Sequence, residues 1–540
     1  MTKLNTLLHL PLFGLLVFPL TAARAQVAAQ SCNSSDVQTA INQATEGQTV
    51  TIPPGNCTWT SGVTISGKGI SVKGAGAGRI IAYSSDTLTI GTGSKNIDVT
   101  SALVNGSLSI ANGQTLTVSE TGNRQNYMVG TVSSYSSGTL TMNITSTGGS
   151  CGNSSSSQSP SNCKRWLIST IPSTVIVNNS TTTLFAVTED STYHTNLSGF
   201  KIKAGTGSGI GVQFTAGGGA AIILQNCWIE QNSTSTDAVN LGANRGVISN
   251  CSFDSTPFSM APLAVHLQPY DLTSWSHTSY WGTADTTGQN NVYVETSDFH
   301  AYLNATDNDE GARSVFRYSL FNNAGFGTHG VDTGPIGQRY FEFYNNIGVY
   351  NGYNDLTTFP MNWWFFVRGG SYVIHDNTLP ALVSTDYGTK SDVNMTVMNL
   401  QRNAGPAPCW GAGTSNGADY YAPHQVGLGY VTGKGTSILG GSTYSDASYG
   451  YGTQYVGDPE PAYIWNNSRA PLGNVGTSDY GGTECANPDS SPNYIKLNRD
   501  YYNGTTAKPG YTPYAYPHPL LGSASTAGPG VPIDLTSTGK

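Results

Sequence analysis

Glu295, Arg317, Tyr344 and His375 occupy the same place in four successive short segments, VYVETSDF (292–299), VFRYSLF (315–321), FEFYNNI (341–347) and SYVIHDNTL (371–379). A carboxylate, a guanidinium, a phenol and an imidazole in one line are the groups that proton abstraction beside a carboxylate requires. Arginine neutralises the substrate acid, and tyrosine or histidine exchanges the proton. Arg313 and Arg339 would add positive charge beside Arg317. The densest polar stretch of the chain lies between these segments: DNDEGAR (307–313), GTHGVD (327–332) and GQR (337–339). There His329 precedes Gly330, which permits close substrate approach, and Asp332 could orient the imidazole. Asp307, Asp309 and Glu310 are closely spaced oxygen donors followed by Gly311, the composition of a Ca²⁺ site without the full EF-hand spacing. The elimination chemistry itself requires no cofactor. Asp307, Asp309, Asp332 and Glu342 also supply the carboxylate pair that glycoside hydrolysis would use.

Such a line of side chains exists only if the segments stack. Two earlier stretches, IILQNCWI (222–229) and GVISNCSF (246–253), repeat the same design. Each reads as a brief apolar or β-branched alternation that closes on a polar pair followed by another apolar residue. The starts fall roughly 20–50 residues apart, the period of stacked solenoids. Aligned on their polar pairs, the segments place Leu224, Ile248, Val294, Phe316, Phe343 and Ile374 in one apolar column, which must point inward. By the period of two, the next column points out. It holds Gln225, Ser249, Glu295, Arg317, Tyr344 and His375. The expected fold class is all-β, a single-stranded parallel β-helix whose functional face lies between residues 295 and 375.

The start of the chain carries a second signature. Val37, Ala40, Ile41 and Ala44 have helical spacing and end at Glu46-Gly47. VTIPPG, GVTI and ISVKGAG follow as short runs punctuated by Gly and Pro. Gly47, Thr49, Val50, Ile52, Pro53, Gly55, Ile70, Val72, Gly74 and Gly76 resemble the N-terminal cap of right-handed parallel β-helix proteins of the pectate-lyase-like superfamily. The resemblance continues to about residue 380. It implies the fold more than an activity, since that superfamily holds lyases, hydrolases and non-catalytic proteins. The chain lacks the lyase Arg-x-Pro-x-x-Arg signature, and of the hydrolase motifs it offers only Thr328-His329-Gly330.

Composition narrows the setting. Lys3, the apolar run Leu7–Leu20 and Ala23-Arg24-Ala25 read as a signal peptide over 1–25, so the protein is expected to be secreted or periplasmic. No later run is long enough to span a bilayer. The segment 1–25 holds two of the 24 basic residues and none of the 32 acidic ones, so the rest carries −10 and has no basic footprint for nucleic acid. Eight cysteines in an exported chain favour disulfides, most simply 32–57, 151–163, 227–251 and 409–485. For Cys227 and Cys251, one rung apart, a pair of buried thiols is the alternative. Residues 26–380 form the expected β-helix, with its cap at about 33–76, and 381–540 an irregular Gly/Tyr/Pro-rich segment packed on it. Thirty tyrosines and nine tryptophans suit a carbohydrate partner, with Trp275, Tyr280 and Trp281 in one loop as sugar-stacking candidates. Three readings follow: a lyase cleaving a uronate-containing polysaccharide by β-elimination, a glycoside hydrolase, and a polysaccharide-binding or adhesin-like solenoid.

Overall fold

A computed structural model describes residues 26–522, except 100–109, 121–123, 151–162, 164–165, 189–192, 216–220, 260–261, 270–283, 330–336, 350–363, 380–397, 403–425, 428–459, 469–474 and 480–496. The helix expected near the N-terminus is Ser34–Gln43, and it buries Val37, Ala40 and Ile41. Strands make up most of the rest. From Thr195 onward the chain returns repeatedly to a first parallel ladder and passes between returns through a second and a third, which Asp298–Asn308 and Leu320–Thr328 each serve with a single strand.

The first ladder contains Ile222–Gln225, Gly246–Ser249, Val292–Glu295, Arg313–Arg317, Tyr340–Tyr344 and Ser371–His375, all parallel. Its register reproduces the expected columns. Leu224, Ile248, Val294, Phe316, Phe343 and Ile374 pair in sequence, as do Gln225, Ser249, Glu295, Arg317, Tyr344 and His375. The ladder runs on past residue 380 through Ala462–Trp465 and Tyr501–Gly504, so part of the segment expected to be irregular continues the coil.

The repeated polar pair has a structural cause. Asn226, Asn250, Thr296, Tyr318, Asn345, Asp376 and Asn466, each directly after a first-ladder strand, have φ of 51–53°. This left-handed corner turns the chain from the first ladder into the second within one residue, and asparagine and aspartate tolerate it best among residues with a side chain. The residue after each corner points inward. Ser319 N–H donates to Asn346 Oδ1, Asn346 N–H to Asn377 Oδ1 and Asn377 N–H to Asn467 Oδ1, at 2.9–3.1 Å. The column thus satisfies buried amides that no neighbouring strand reaches. Cys227 and Cys251 head the same column as buried free thiols, not the disulfide that was the simplest expectation. Each sulfur lies 3.4 Å from the carbonyl oxygen two residues before it. Cys32–Cys57 is a disulfide as expected. Cys163 is disulfide-bonded, while Cys151, Cys409 and Cys485 lie outside the described residues.

The second ladder includes Lys201–Ala204, Trp228–Asn232, Ser252–Ser259 and the start of Asp298–Asn308. The third includes Val212–Thr215, Val239–Gly242, Val265–Leu267, the end of Asp298–Asn308, the end of Leu320–Thr328, and Phe365–Val367. Inside the coil Phe253, Phe299 and Phe321 stack at 5.1 and 4.7 Å between centroids. Between residues 80 and 170 the coil is interrupted by a six-stranded antiparallel sheet with its own core, including Leu116, Val118, Met128, Leu140 and Trp166. Its outward anchors are ion pairs, Arg124–Asp254 and Arg79–Asp298, onto the second ladder.

Candidate active site

The column Glu295–Arg317–Tyr344–His375 forms as expected, but it is not an exposed face. All four residues are buried, at 0%, 0%, 1% and 5% exposure. Residues 508–522 lie across them as a strap. Arg317 has five N–H donors, and each has an acceptor: Glu295 Oε2 from Nε (2.9 Å) and Nη2 (2.8 Å), Tyr344 OH (2.9 Å), and the carbonyls of Tyr514 and Ala515 (2.7 Å each). Glu295 also accepts from the His518 N–H at 3.0 Å. Burial opposes the guanidinium charge, yet Tyr344 and Glu295 hold its proton more tightly than usual. His375 is stacked between Tyr344 (4.8 Å) and Trp465 (4.3 Å), and hydrogen-bonded to Asp376 and Tyr511. Arg317 therefore has no donor left for a substrate carboxylate, and the column works as a clamp.

The neighbouring arginines share this fate. Arg313 is buried, donates to Asn290 O and Asn291 Oδ1, and lies 5.0 Å over the Tyr340 ring. Arg339 is buried and paired with Glu460 at 2.7 Å. Glu342, a candidate hydrolytic carboxylate, is buried under the strap and accepts from Tyr511 OH at 2.6 Å. Burial pushes it up to about 7 against that hydrogen bond and the charges of Arg313 and Arg317. Asp332, Trp275, Tyr280 and Trp281 lie outside the described residues.

Partly exposed titratable side chains lie on the third ladder, beside the buried turn residues Asp309 and Glu310, at 4% and 7% exposure. Alternation buries Val239, Leu241, Val265 and Leu267 and turns Asn240, His266 and Asp307 outward, in register on adjacent rungs. One residue beyond its strand, His329 brings Nδ1 to 2.6 Å from Asp307 Oδ2, both side chains about one-fifth exposed. His266 Nδ1 lies 2.8 Å from Asp237 Oδ2, and Asn240 Nδ2 donates to the same Asp237 oxygen at 2.9 Å. Asp309 and Glu310 form the turn after Asp307. Asp309 Oδ1 accepts from the Glu310 N–H at 2.7 Å, and Glu310 has φ of +47° with a buried Oε2 that meets no hydrogen-bond donor among the described residues. Burial, with the charges of Asp307 and Glu310, holds Asp309 up to about 7 despite His329. Burial also raises Glu310, and His266 counteracts it.

The expected Ca²⁺ trio is not assembled: Asp307 turns to His329, Asp309 to its own following amide, and among the described residues no group of three or more His, Cys, Asp or Glu converges as a metal site. His266, Asp237 and Asn240 were absent from the expected site. Their signal was the short alternation Ala264-Val265-His266-Leu267, hidden because long loops separate it from the matching rungs.

No protein-family model matches the chain, and no curated protein matches it. Among solved structures, it is similar to an alginate lyase from Paenibacillus sp. str. FPU-7 (TM-score 0.25, 12% identity, 70% of this chain and 94% of that one). It is also similar to the tailspike protein of Pseudomonas phage LKA1 (0.22, 11%, 85% and 74%) and to a glycoside hydrolase (0.18, 8%, 69% and 80%). All three likenesses are remote, and the chemistry of this chain stands on its own geometry.

Proposed function

We propose that the protein is an exported carbohydrate-active enzyme that cleaves a polysaccharide on the outward face of the third ladder, as a glycoside hydrolase. The observation that supports this most is the division of labour between two carboxyls two residues apart. Asp307 is paired with His329 at 2.6 Å, whereas Asp309 is held near 7 and so keeps its proton in mildly acidic water. A buried carboxyl that keeps its proton beside a partly exposed one paired with a histidine is an environment in which acid and base roles separate. Asp309 is buried, so it would give its proton to the departing glycosidic oxygen where the glycan seats directly against the Asp309–Glu310 turn. Asp307, steadied by His329, would take one from the attacking water, which adds hydroxide to the sugar carbon and closes the proton balance.

Acidic surroundings favour an uncharged glycan here: Asp237, Asp307, Asp309 and Glu310 would repel a polyanion. The β-elimination reading retains one supporting feature, the His329–Asp307 pair as an imidazole base with its orienting carboxylate. It has lost its cation, because Arg317 is saturated. We further read the coil as a right-handed parallel β-helix, since parallel crossover connections have that hand in nearly all proteins, and residues 1–25 as a removable export signal.

The test is a panel of neutral and acidic polysaccharides incubated with the purified protein, with and without a chelator. Hydrolysis raises reducing ends without near-ultraviolet absorbance, whereas elimination produces that absorbance. Retention of a glycan without cleavage would leave a binding solenoid and end the enzyme reading. Asp307→Asn and Asp309→Asn should each abolish turnover while the fold persists.

A further inference from the structure

Deepening that reading and resting on it, we propose that His266 is a positioning residue, clamped by Asp237, that supplies the cation beside the Asp307–Asp309–Glu310 carboxyl set. It thereby limits the pH range in which the set works.

The geometry gives His266 little freedom. Asp237 Oδ2 receives both His266 Nδ1 (2.8 Å) and Asn240 Nδ2 (2.9 Å), and the Asn240 amide also reaches Gln268 Oε1 at 3.3 Å. The ring is thus held by a carboxylate that is itself held. His266 and Asp237 are 16% and 15% exposed, so solvent screening is reduced without being lost. The register then sets His266 directly beside Asp307 on the next rung.

The groups facing this imidazole come from each element packed against it. The connection before the preceding rung contributes Asp237, and that rung contributes neutral Asn240. Its own rung contributes neutral Gln268, next to Asn240. The following rung and its turn contribute Asp307, Asp309 and Glu310. The charged groups that raise His266 are acids, and His329, the other histidine of the set, faces Asp307 and Asp309 from the end of the rung beyond. Burial opposes the imidazolium, but the hydrogen bond and charge of Asp237, with Asp307 and Asp309, raise His266 above its ordinary value. Glu310 is the group that reports this cation. It is nine-tenths buried, its Oε2 meets no donor among the described residues, and its backbone is held in the left-handed region. His266 opposes the upward push that burial gives its carboxyl. Once His266 loses its proton, Glu310 and the acids around it face one another without that counter-charge, and each binds its own proton more tightly. A charged His266 therefore sets the pH at which Asp309 gives up its proton lower than it would otherwise be.

The experiment uses the full-length protein with histidine ring and carboxyl carbons labelled for NMR, His266 being assigned by the signal lost in His266→Asn. We expect His266 to titrate above about 6.5, and Asp237→Asn to lower its midpoint by about one pH unit or more. The Glu310 carboxyl midpoint should rise in His266→Asn. In enzyme assays, the alkaline limb of kcat/KM, which follows the Asp309 proton, should move up in His266→Asn, with KM little changed. An unmoved His266 midpoint in Asp237→Asn, or an unmoved Glu310 midpoint in His266→Asn, overturns the proposal. An alkaline limb that stays in place or moves down in His266→Asn also overturns it. Lack of turnover on every glycan sinks the hydrolase reading alone, because both NMR midpoints are read without turnover.

Discussion

Arg317→Ala separates a clamp from a catalyst. In the native protein this side chain satisfies Glu295, Tyr344 and two strap carbonyls, and neither it nor Glu295 is accessible to water. Removing it leaves Glu295 buried with, among the described residues, only the His518 N–H as partner. Breaking a buried pair from one side costs about 3–5 kcal/mol, because the remaining charge is uncompensated. Glu295 is already raised by burial with Arg317 present, so in the variant it will take up a proton and settle toward the lower end of that range. The two strap carbonyls lose their donors too, at about 1 kcal/mol each where they stay dry. We therefore expect a loss of roughly 3–5 kcal/mol in denaturant unfolding. Amide exchange within residues 508–522 should accelerate. Activity per folded molecule should be retained, because the proposed chemistry is on another ladder. Replacing both partners, as Glu295→Leu with Arg317→Met, should recover most of the loss. A stability change below about 1 kcal/mol, the range of an exposed ion pair, would refute the clamp. A stable variant without turnover would return Arg317 to the catalytic machinery.

Other outcomes follow from the same geometry. Glycan hydrolysis should fall as pH rises through about 7, where Asp309 loses its proton, and a pH–rate profile of kcat checks this. Glu342 is raised from 4.5 to about 7, so its contribution to stability is full below its unfolded value and is lost as pH rises to about 7. The stability gap between wild type and Glu342→Gln should accordingly change by roughly 3 kcal/mol over that interval, measured by urea titrations at several pH values. Cys227 and Cys251 should be alkylated only after denaturation, without reductant, whereas Cys32 and Cys57 should require reduction; peptide mass spectrometry reads both. Phe299→Ala removes the middle ring of the Phe253–Phe299–Phe321 stack and should cost about 3–5 kcal/mol.

The coil was legible in the sequence because its physics is local and repeated. The alternation that buries Phe316 and turns Arg317 outward is a property of any strand, and a left-handed corner selects asparagine wherever it recurs. Both columns of the first ladder could therefore be read to the residue. The antiparallel insertion between 80 and 170 was less visible, since its strands alternate like the rungs and only their partners differ.

What the sequence could not determine was which outward column meets water. That depends on where residues 508–522 return, about two hundred positions after Arg317, and a period-two pattern contains no information on so distant a contact. The strap turned an apparent catalytic line into a clamp. Asp237, His266, Asp307 and His329 became a site through stacking alone, since they are spread over some ninety residues and only the register of the third ladder brings them to hydrogen-bonding distance. Sequence by itself settled the direction in which each side chain leaves its strand; tertiary structure decided what lies on the other side.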